Sequence, residues 1–138
     1  METVVTRALP SDAEDLCAMN REFNGDGDAT PEHVLASLAS GSEIVLIDRR
    51  VGEAVGFLCA QRLSSFCYAA ASLEVREMYV RAGSRRMGVG RALMHALFSL
   101  CPGEDIHLLT GRDNCAAQAF YRALGFAPTG DVEFLRMP

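Results

Sequence analysis

Glu77-Met78-Tyr79-Val80-Arg81-Ala82-Gly83-Ser84-Arg85-Arg86-Met87-Gly88-Val89-Gly90-Arg91 runs from an apolar strand pattern, through an arginine-rich loop with two spaced glycines, into a helix. Glycines at 88 and 90 let the backbone approach a ligand closely. A helix that begins there points free N–H groups and the positive end of its dipole at whatever sits above it. That arrangement binds anions, and the natural anion is a phosphate.

Outward from this turn, the pattern alternates between sheet and helix periods. Residues 3–8 read as a first strand. Ser11 with Glu14 three residues on forms a capping box that opens a helix to about Phe23. Residues 24–28, Asn-Gly-Asp-Gly-Asp, make a loop, and Thr30-Pro31 starts a second helix to about Ala39. Residues 43–48 form a strand, a turn follows near Arg49-Arg50, and residues 52–63 and 72–81 add two more strands. After the glycine turn, Val89, Leu93, Ala96, Leu97 and Leu100 recur at helical spacing until Pro102-Gly103. Residues 106–110 are a short buried strand, and residues 115–124 a helix closed by Gly125. A short strand pair is expected around Phe126 and residues 132–137. The order is β-α-α-β-β-β-α-β-α-β(β), a mixed α/β sheet with helices on its faces.

The totals bound the function. The 138 residues predict a single domain, with 49% hydrophobic and 22% charged residues, so the chain is neither disordered nor unusually polar. Five cysteines, an odd number without C-x-x-C spacing, fit free thiols in a reducing cytoplasm. Neither His95 nor His107 is spaced with a cysteine pair as zinc requires, so no metal is expected. Glu2, Arg7 and Asp12 interrupt any signal-peptide run, and no apolar stretch nears the ~20 residues of a membrane span. All 13 basic residues are arginine. A Schiff-base lysine and a Walker-type loop are thereby excluded. The net charge of −5 argues against nucleic acid as a partner.

Arg85-x-x-Gly88-x-Gly90 resembles the [Q/R]-x-x-G-x-[G/A] signature of the GCN5-related N-acetyltransferase (GNAT) family. Asn114-Cys115-Ala116-Ala117-Gln118-Ala119-Phe120-Tyr121-Arg122-Ala123-Leu124-Gly125-Phe126 is similar to the family's N-x-x-A-x-x-x-Y-x-x-x-G-F segment at every position. Together with the strand order, the two blocks span roughly residues 3–137. The resemblance implies a GNAT-like acyl-CoA N-acyltransferase fold and acetyl-CoA as donor.

On that resemblance, the backbone of residues 86–91 would hold the CoA diphosphate, with Arg85, Arg86 and Arg91 adding charge around Met87, Gly88, Val89 and Gly90. The strand at 73–81 would splay from the one at 106–110 to admit the pantetheine arm. A backbone N–H near Met78, Tyr79 or Val80 would then face the thioester oxygen. Asn114 and Tyr121 share one helix face, with small Ala117 between them leaving room for the arm. Tyr121 would donate toward the departing thiolate; the other reading is a tyrosine packed on the sheet. Glu77 interrupts an apolar strand and is the candidate base, or else an edge glutamate paired with Arg76 or Arg62. Glu74 is the weaker alternative and would face the opposite side of a regular strand.

The acceptor is indicated only by charge. Glu22, Asp26, Asp28 and Glu32 lie in or beside the loop at 24–28, and no Lys or Arg lies between Arg21 and Arg49. Glu22, Asp26 and Asp28, with Glu77, are the expected contacts of a cationic amine; a solvated acidic loop is the other reading. A calcium loop is excluded, because Ala29 stands where glycine is required and Leu35 where glutamate is. Arg21-Glu22-Phe23, Leu63-Ser64-Ser65-Phe66 and the short tail resemble the aminoglycoside 3-N-acetyltransferase branch, which implies an aminoglycoside-like acceptor and antibiotic resistance. The alternatives are a peptide or protein N-terminal acetyltransferase and a non-catalytic acetyl-CoA-binding module. The short tail after Phe126 leaves a sheet edge for a second subunit, which points toward a homodimer.

Overall fold

A computed structural model describes residues 4–27 and 29–138. It contains five strands, β1 (Val4–Arg7), β2 (Glu43–Arg50), β3 (Glu53–Leu63), β4 (Ser72–Val80) and β5 (Ile106–Leu108). Four helices accompany them, α1 (Ala13–Asn24), α2 (Pro31–Ser40), α3 (Val89–Leu100) and α4 (Cys115–Ala123). The strands form one sheet in the order β1-β2-β3-β4-β5. Neighbours are antiparallel except β5, which lies parallel to β4.

The sheet is covered on both faces, which is why β2 and β3 read as continuous apolar runs rather than alternating ones. Leu46, Leu58, Leu73, Leu93, Met94 and Leu97 are completely or nearly completely buried in a core beneath α3. Phe120, Leu124 and Phe126 pack against the same core. On the opposite face Met19, Leu16, Ile47 and Phe57 form a second core beneath α1, with Val34 and Leu38 of α2 at its margin.

Several local expectations hold and several do not. Thr30 caps α2 as its spacing predicts, its Oγ1 accepting the His33 N–H at 3.1 Å. The Ser11–Glu14 box at α1 does not form. A 3-10 turn at Pro10–Asp12 precedes the helix, and Asp12 reaches back to accept the Leu9 N–H at 2.7 Å. The other oxygen of Asp12 accepts from Arg49, which also binds Asp15, so β2 fixes the start of α1. β2 continues through Arg50, and the hairpin turns at Val51 and Gly52 (φ 51° and 80°) instead. Two positive φ values match the right-handed twist of the paired strands. β5 is only three residues long. The strand pair expected near Phe126 and 132–137 is absent, and residues 124–138 carry no helix or strand. A three-residue edge offers few ladder bonds, Pro128 has no N–H to donate, and Gly130 breaks the run with φ 84°. Thr3, where the first strand was expected to begin, lies outside the described residues.

Arg76 is an extra residue on β4: Glu77 pairs with Cys59, yet Val75 pairs with Ala60. The bulge shifts the alternation by one. Leu73 and Val75 face α3, as do Met78 and Val80, whereas Tyr79 joins the α1 face. Glu77 and Glu74 therefore share the α1 face, and the opposite orientation expected for Glu74 is corrected.

Gly56 lets β3, β4 and α3 meet. A Cβ there would lie 2.8 Å from the Tyr79 carbonyl oxygen and 2.9 Å from Val89 Cγ1. Because the nearer atom is backbone, the clash cannot be relieved by a rotamer. Overpacking of this kind costs typically about 1–3 kcal/mol. Gly56→Ala is expected to lower Tm by several degrees, measurable by thermal denaturation followed by circular dichroism.

Candidate active site

The arginine–glycine turn closes the gap between β4 and α3. Arg86 and Gly88 both adopt left-handed backbone (φ 64° and 79°), which curls the loop into a concave run of N–H groups. Gly88 is the N-cap of α3 and offers no side-chain cap, so the first-turn N–H groups of the helix remain available. A Cβ on Gly88 would meet nothing within 4 Å, which leaves space above the turn. Arg85 folds back, its Nε donating to the Val80 carbonyl at 3.2 Å. Arg86, Met87 and Arg91 are exposed. Gly90 has a different reason to be glycine. A Cβ there would lie 3.2 Å from the Phe120 ring and 3.6 Å from Met78 Cε, so its absence lets α4 approach the start of α3.

Beside the turn the sheet opens. β4 and β5 pair only at Leu73–Ile106, Glu74–His107 and Val75–Leu108. Beyond the Arg76 bulge, the outer edge of β4 through Met78, Tyr79 and Val80 has no strand partner among the described residues. Apart from the Val80 carbonyl, which Arg85 occupies, its outward backbone groups can bind an extended ligand as an added strand would.

Glu77 sits where this opening begins. It is half-buried, and desolvation pushes its carboxyl above the ordinary value of 4.5, with Arg76 pulling the other way. Neither arginine considered as its partner holds it. Arg76 binds Glu74 at 2.9 Å and Arg62 binds Glu104 at 3.0 Å, so no cation pairs with Glu77 among the described residues. On the same sheet face, a cavity of about 330 Å³ lies beneath α1 and α2, lined by Asn20, His33, Ser37, Glu43, Cys59 and Gln61 among others. The Cys59 thiol is pushed up to about 12, chiefly by burial, with the Glu43 and Glu77 carboxylates adding to it. Cys59 is therefore neutral and non-nucleophilic at physiological pH.

On α4, Asn114 is the N-cap, its Oδ1 accepting the Ala117 N–H at 3.1 Å. Its amide nitrogen has no partner among the described residues. Tyr121 is half-buried against Phe120 and Phe126, with ring centroids 5.3 and 5.8 Å away. Burial raises its pKa above 10, and its hydroxyl has no hydrogen bond among the described residues. It lines a second cavity, of about 450 Å³, between β5, α4 and residues 126–132. Glu77 does not line that cavity, so the two expected catalytic residues share no cavity.

Two of the acidic residues expected to meet the acceptor are held by arginines. Glu22 accepts from the Tyr79 hydroxyl at 3.0 Å and pairs with Arg81 at 3.1 Å, tying α1 to β4. Asp26 is almost fully exposed and lies 3.5 Å from Arg21. Asp28 lies outside the described residues. The polar groups that do line a cavity here, Glu43, Gln61 and Cys59, escape a linear reading because strand register alone brings them together. Glu43 carried one available signal, a carboxylate opening an otherwise apolar strand.

Comparison with known proteins agrees with this geometry. The acetyltransferase (GNAT) family profile matches residues 13–126. No curated protein sequence matches. Among solved structures, a ribosomal-protein-alanine N-acetyltransferase from Brucella melitensis biovar Abortus 2308 is 16% identical, with TM-score 0.83, covering 99% of this chain and 100% of that one. An aminoglycoside acetyltransferase from an uncultured soil metagenomic sample is 23% identical, with TM-score 0.82, covering 100% and 99%. AAC(6')-Iy in complex with a bisubstrate analogue, CoA-S-monomethyl-acetylneamine, is 21% identical, with TM-score 0.83, covering 100% and 99%.

The thiols give a direct check on the site's burial. Cys67 and Cys115 are exposed, Cys17 and Cys101 are buried, and Cys59 is half-buried with a raised pKa. A chromogenic disulfide reagent at pH 8 is expected to titrate two thiols rapidly in the native protein and five after denaturation. A third fast thiol assigned to Cys59 by mass spectrometry would contradict the described cavity floor.

Proposed function

The chain belongs to the acetyltransferase (GNAT) family, and from that premise we propose that it moves the acetyl group of acetyl-CoA to a primary amine of a small cationic molecule, by direct attack in a ternary complex. Residues 1–138 act as one N-acetyltransferase domain in the cytoplasm, where the five free cysteines would stay reduced. The observation that carries the reading is Glu77: a half-buried carboxylate with no cation among the described residues, placed where β4 loses its strand partner and leads into the glycine turn.

Acetyl-CoA supplies an activated thioester. The N–H groups of residues 86–91 hold its diphosphate, and Arg85, Arg86 and Arg91 add charge. The β4 edge beyond the bulge would pair with the pantetheine amides, and an N–H at Met78, Tyr79 or Val80 would donate to the carbonyl oxygen as negative charge develops there. Asn114 offers its amide nitrogen to the arm, and Ala117 leaves room for it. Glu77 takes the ammonium proton through water, because only the neutral amine is a nucleophile. As the C–S bond breaks, the thiolate takes up the second proton of the attacking amine to leave as the CoA thiol, with Tyr121 donating a hydrogen bond to the sulfur. Its raised pKa keeps the phenol protonated in that role. Glu22 and Asp26, with Asp28, are the acidic residues proposed to meet the cationic acceptor. The aminoglycoside acetyltransferases among the structural neighbours support an aminoglycoside-like acceptor.

The test is thiol release from acetyl-CoA across aminoglycosides, polyamines and peptides with free N-termini. Glu77→Gln is expected to lower kcat/KM by about 100-fold or more, within the usual range for a general base. The base must be ionised, so activity rises as pH rises through the Glu77 pKa, which lies above 4.5. The variant should lack that acidic limb. Turnover confined to peptides would move the assignment to an N-terminal acetyltransferase. CoA binding without turnover on any acceptor would make it a binding module.

A homodimer is part of the same proposal. The outer edge of β5 is unpaired among the described residues, and Val132, Phe134, Leu135 and Met137 of the tail are largely exposed. Both the apolar segment and the open edge occur on one chain, so a second copy complements each. Light scattering should give twice the chain mass, falling to one on removal of residues 131–138.

A further inference from the structure

Glutamates 22, 43, 74 and 77 border the sheet face beneath α1 and α2, and arginines neutralise only two of them. Glu22 is held by Arg81 and Glu74 by Arg76. Glu43 and Glu77 have no cation among the described residues, although both are half-buried. Two half-buried carboxylates without a cation among the described residues make this face electronegative toward a positive charge from outside.

Their placement sets the spacing. Cys59 is the register partner of both Val45 and Glu77, and Gln61 is the partner of both Glu43 and Glu74. Glu43 and Glu77 thus flank β3 from opposite sides on a diagonal, two strand spacings across and two residues along, roughly 12 Å apart. The cavity floor between them is Cys59 and Gln61, one neutral thiol and one neutral amide. Glu43 is also fixed in direction: the Ser37 hydroxyl donates to its Oε1 at 2.8 Å, so α2 holds it in place beside the Cys59 thiol.

We propose that Glu43 is a specificity-determining residue, binding a second ammonium group of the acceptor roughly 12 Å from the amine that Glu77 deprotonates. The preferred acceptor is then a diamine or polyamine of that span, and a monoamine occupies the site at Glu77 alone. The inference rests on Glu77 serving as the base of acetyl transfer, and it adds a contact that the donor-site motifs do not contain.

A series of linear diamines from propane-1,3-diamine to decane-1,10-diamine, each compared with the monoamine of equal carbon count, tests it. KM should fall at least 10-fold below that of the monoamine for the longer diamines and only slightly for the shortest. Glu43→Gln keeps the acceptor oxygen for Ser37, so the fold is retained, and Tm together with the KM for acetyl-CoA checks this. The variant should lose the diamine preference, with kcat on monoamines unchanged. Equal KM for diamine and monoamine in the unaltered enzyme, or a preference that survives Glu43→Gln, overturns the proposal. Titration calorimetry with octane-1,8-diamine separates this outcome from failure of the acetyl-transfer reading. Binding that Glu43→Gln abolishes, with no thiol release on any amine, removes Glu77 as base and keeps Glu43 as the diamine contact. No binding and no turnover removes both.

Discussion

The extra residue at Arg76 is the constraint on which the arrangement of the site depends. A regular β4 would put Glu77 on the face of Leu73 and Val75, inside the apolar core under α3. The bulge turns it instead toward α1 and α2, while Met78 and Val80 return to the α3 core. β4 can therefore serve two environments within five residues. Its pairing with β5 also ends at Val75, one residue before the bulge. Bulges bend strands and increase local twist. The same irregularity accounts for the direction of the carboxylate and for the opening beside it.

Close backbone approach keeps that opening next to an anion site. Gly56 lets Val89 of α3 sit directly on the sheet, and Gly90 lets the Phe120 ring of α4 lie against the next position of the same helix. The start of α3 is thus clamped from below by β3 and from the side by α4. A helix N-terminus held this way keeps its free N–H groups in one orientation, which is what an oxyanion or phosphate requires of a preorganised site. The positive φ at Arg86, which costs a non-glycine residue about 1–2 kcal/mol, is borne by this clamped framework.

Features set by local chemistry were legible in the sequence. The Thr30-Pro31 helix start, the helical repeat from Val89 to Leu100, and the charge of Glu77 inside an apolar strand each depend on neighbours within a few residues. Features set by distant partners were not. Ser11 satisfies the capping-box pattern, but Asp12 is claimed by Arg49, 37 positions away, and the helix start moves with it. Glu43, Cys59 and Glu77 become neighbours only through the register of three strands, which a one-residue bulge controls. Gly90 reads as a phosphate-loop glycine, yet a ring from α4 occupies the space its side chain would need. The tail alternates like a strand, but three residues of β5 give it too little edge to pair with in the isolated chain.

Charge is distributed by the same logic. Arg49 with Asp12 and Asp15, Arg81 with Glu22, and Arg62 with Glu104 tie separate elements together, and these exposed or partly exposed pairs contribute more to position than to stability. Among the charges outside these pairs, those nearest the site differ in sign with location. Arg86 and Arg91, at the glycine turn, have no carboxylate partner among the described residues, and Glu43 and Glu77, on the α1 face, have no cation. One end of β4 therefore presents uncompensated positive charge and the other face uncompensated negative charge. An anionic donor and a cationic acceptor would be drawn to opposite sides of the same strand. They would meet at its unpaired edge, where neither has to cross the field that attracts the other.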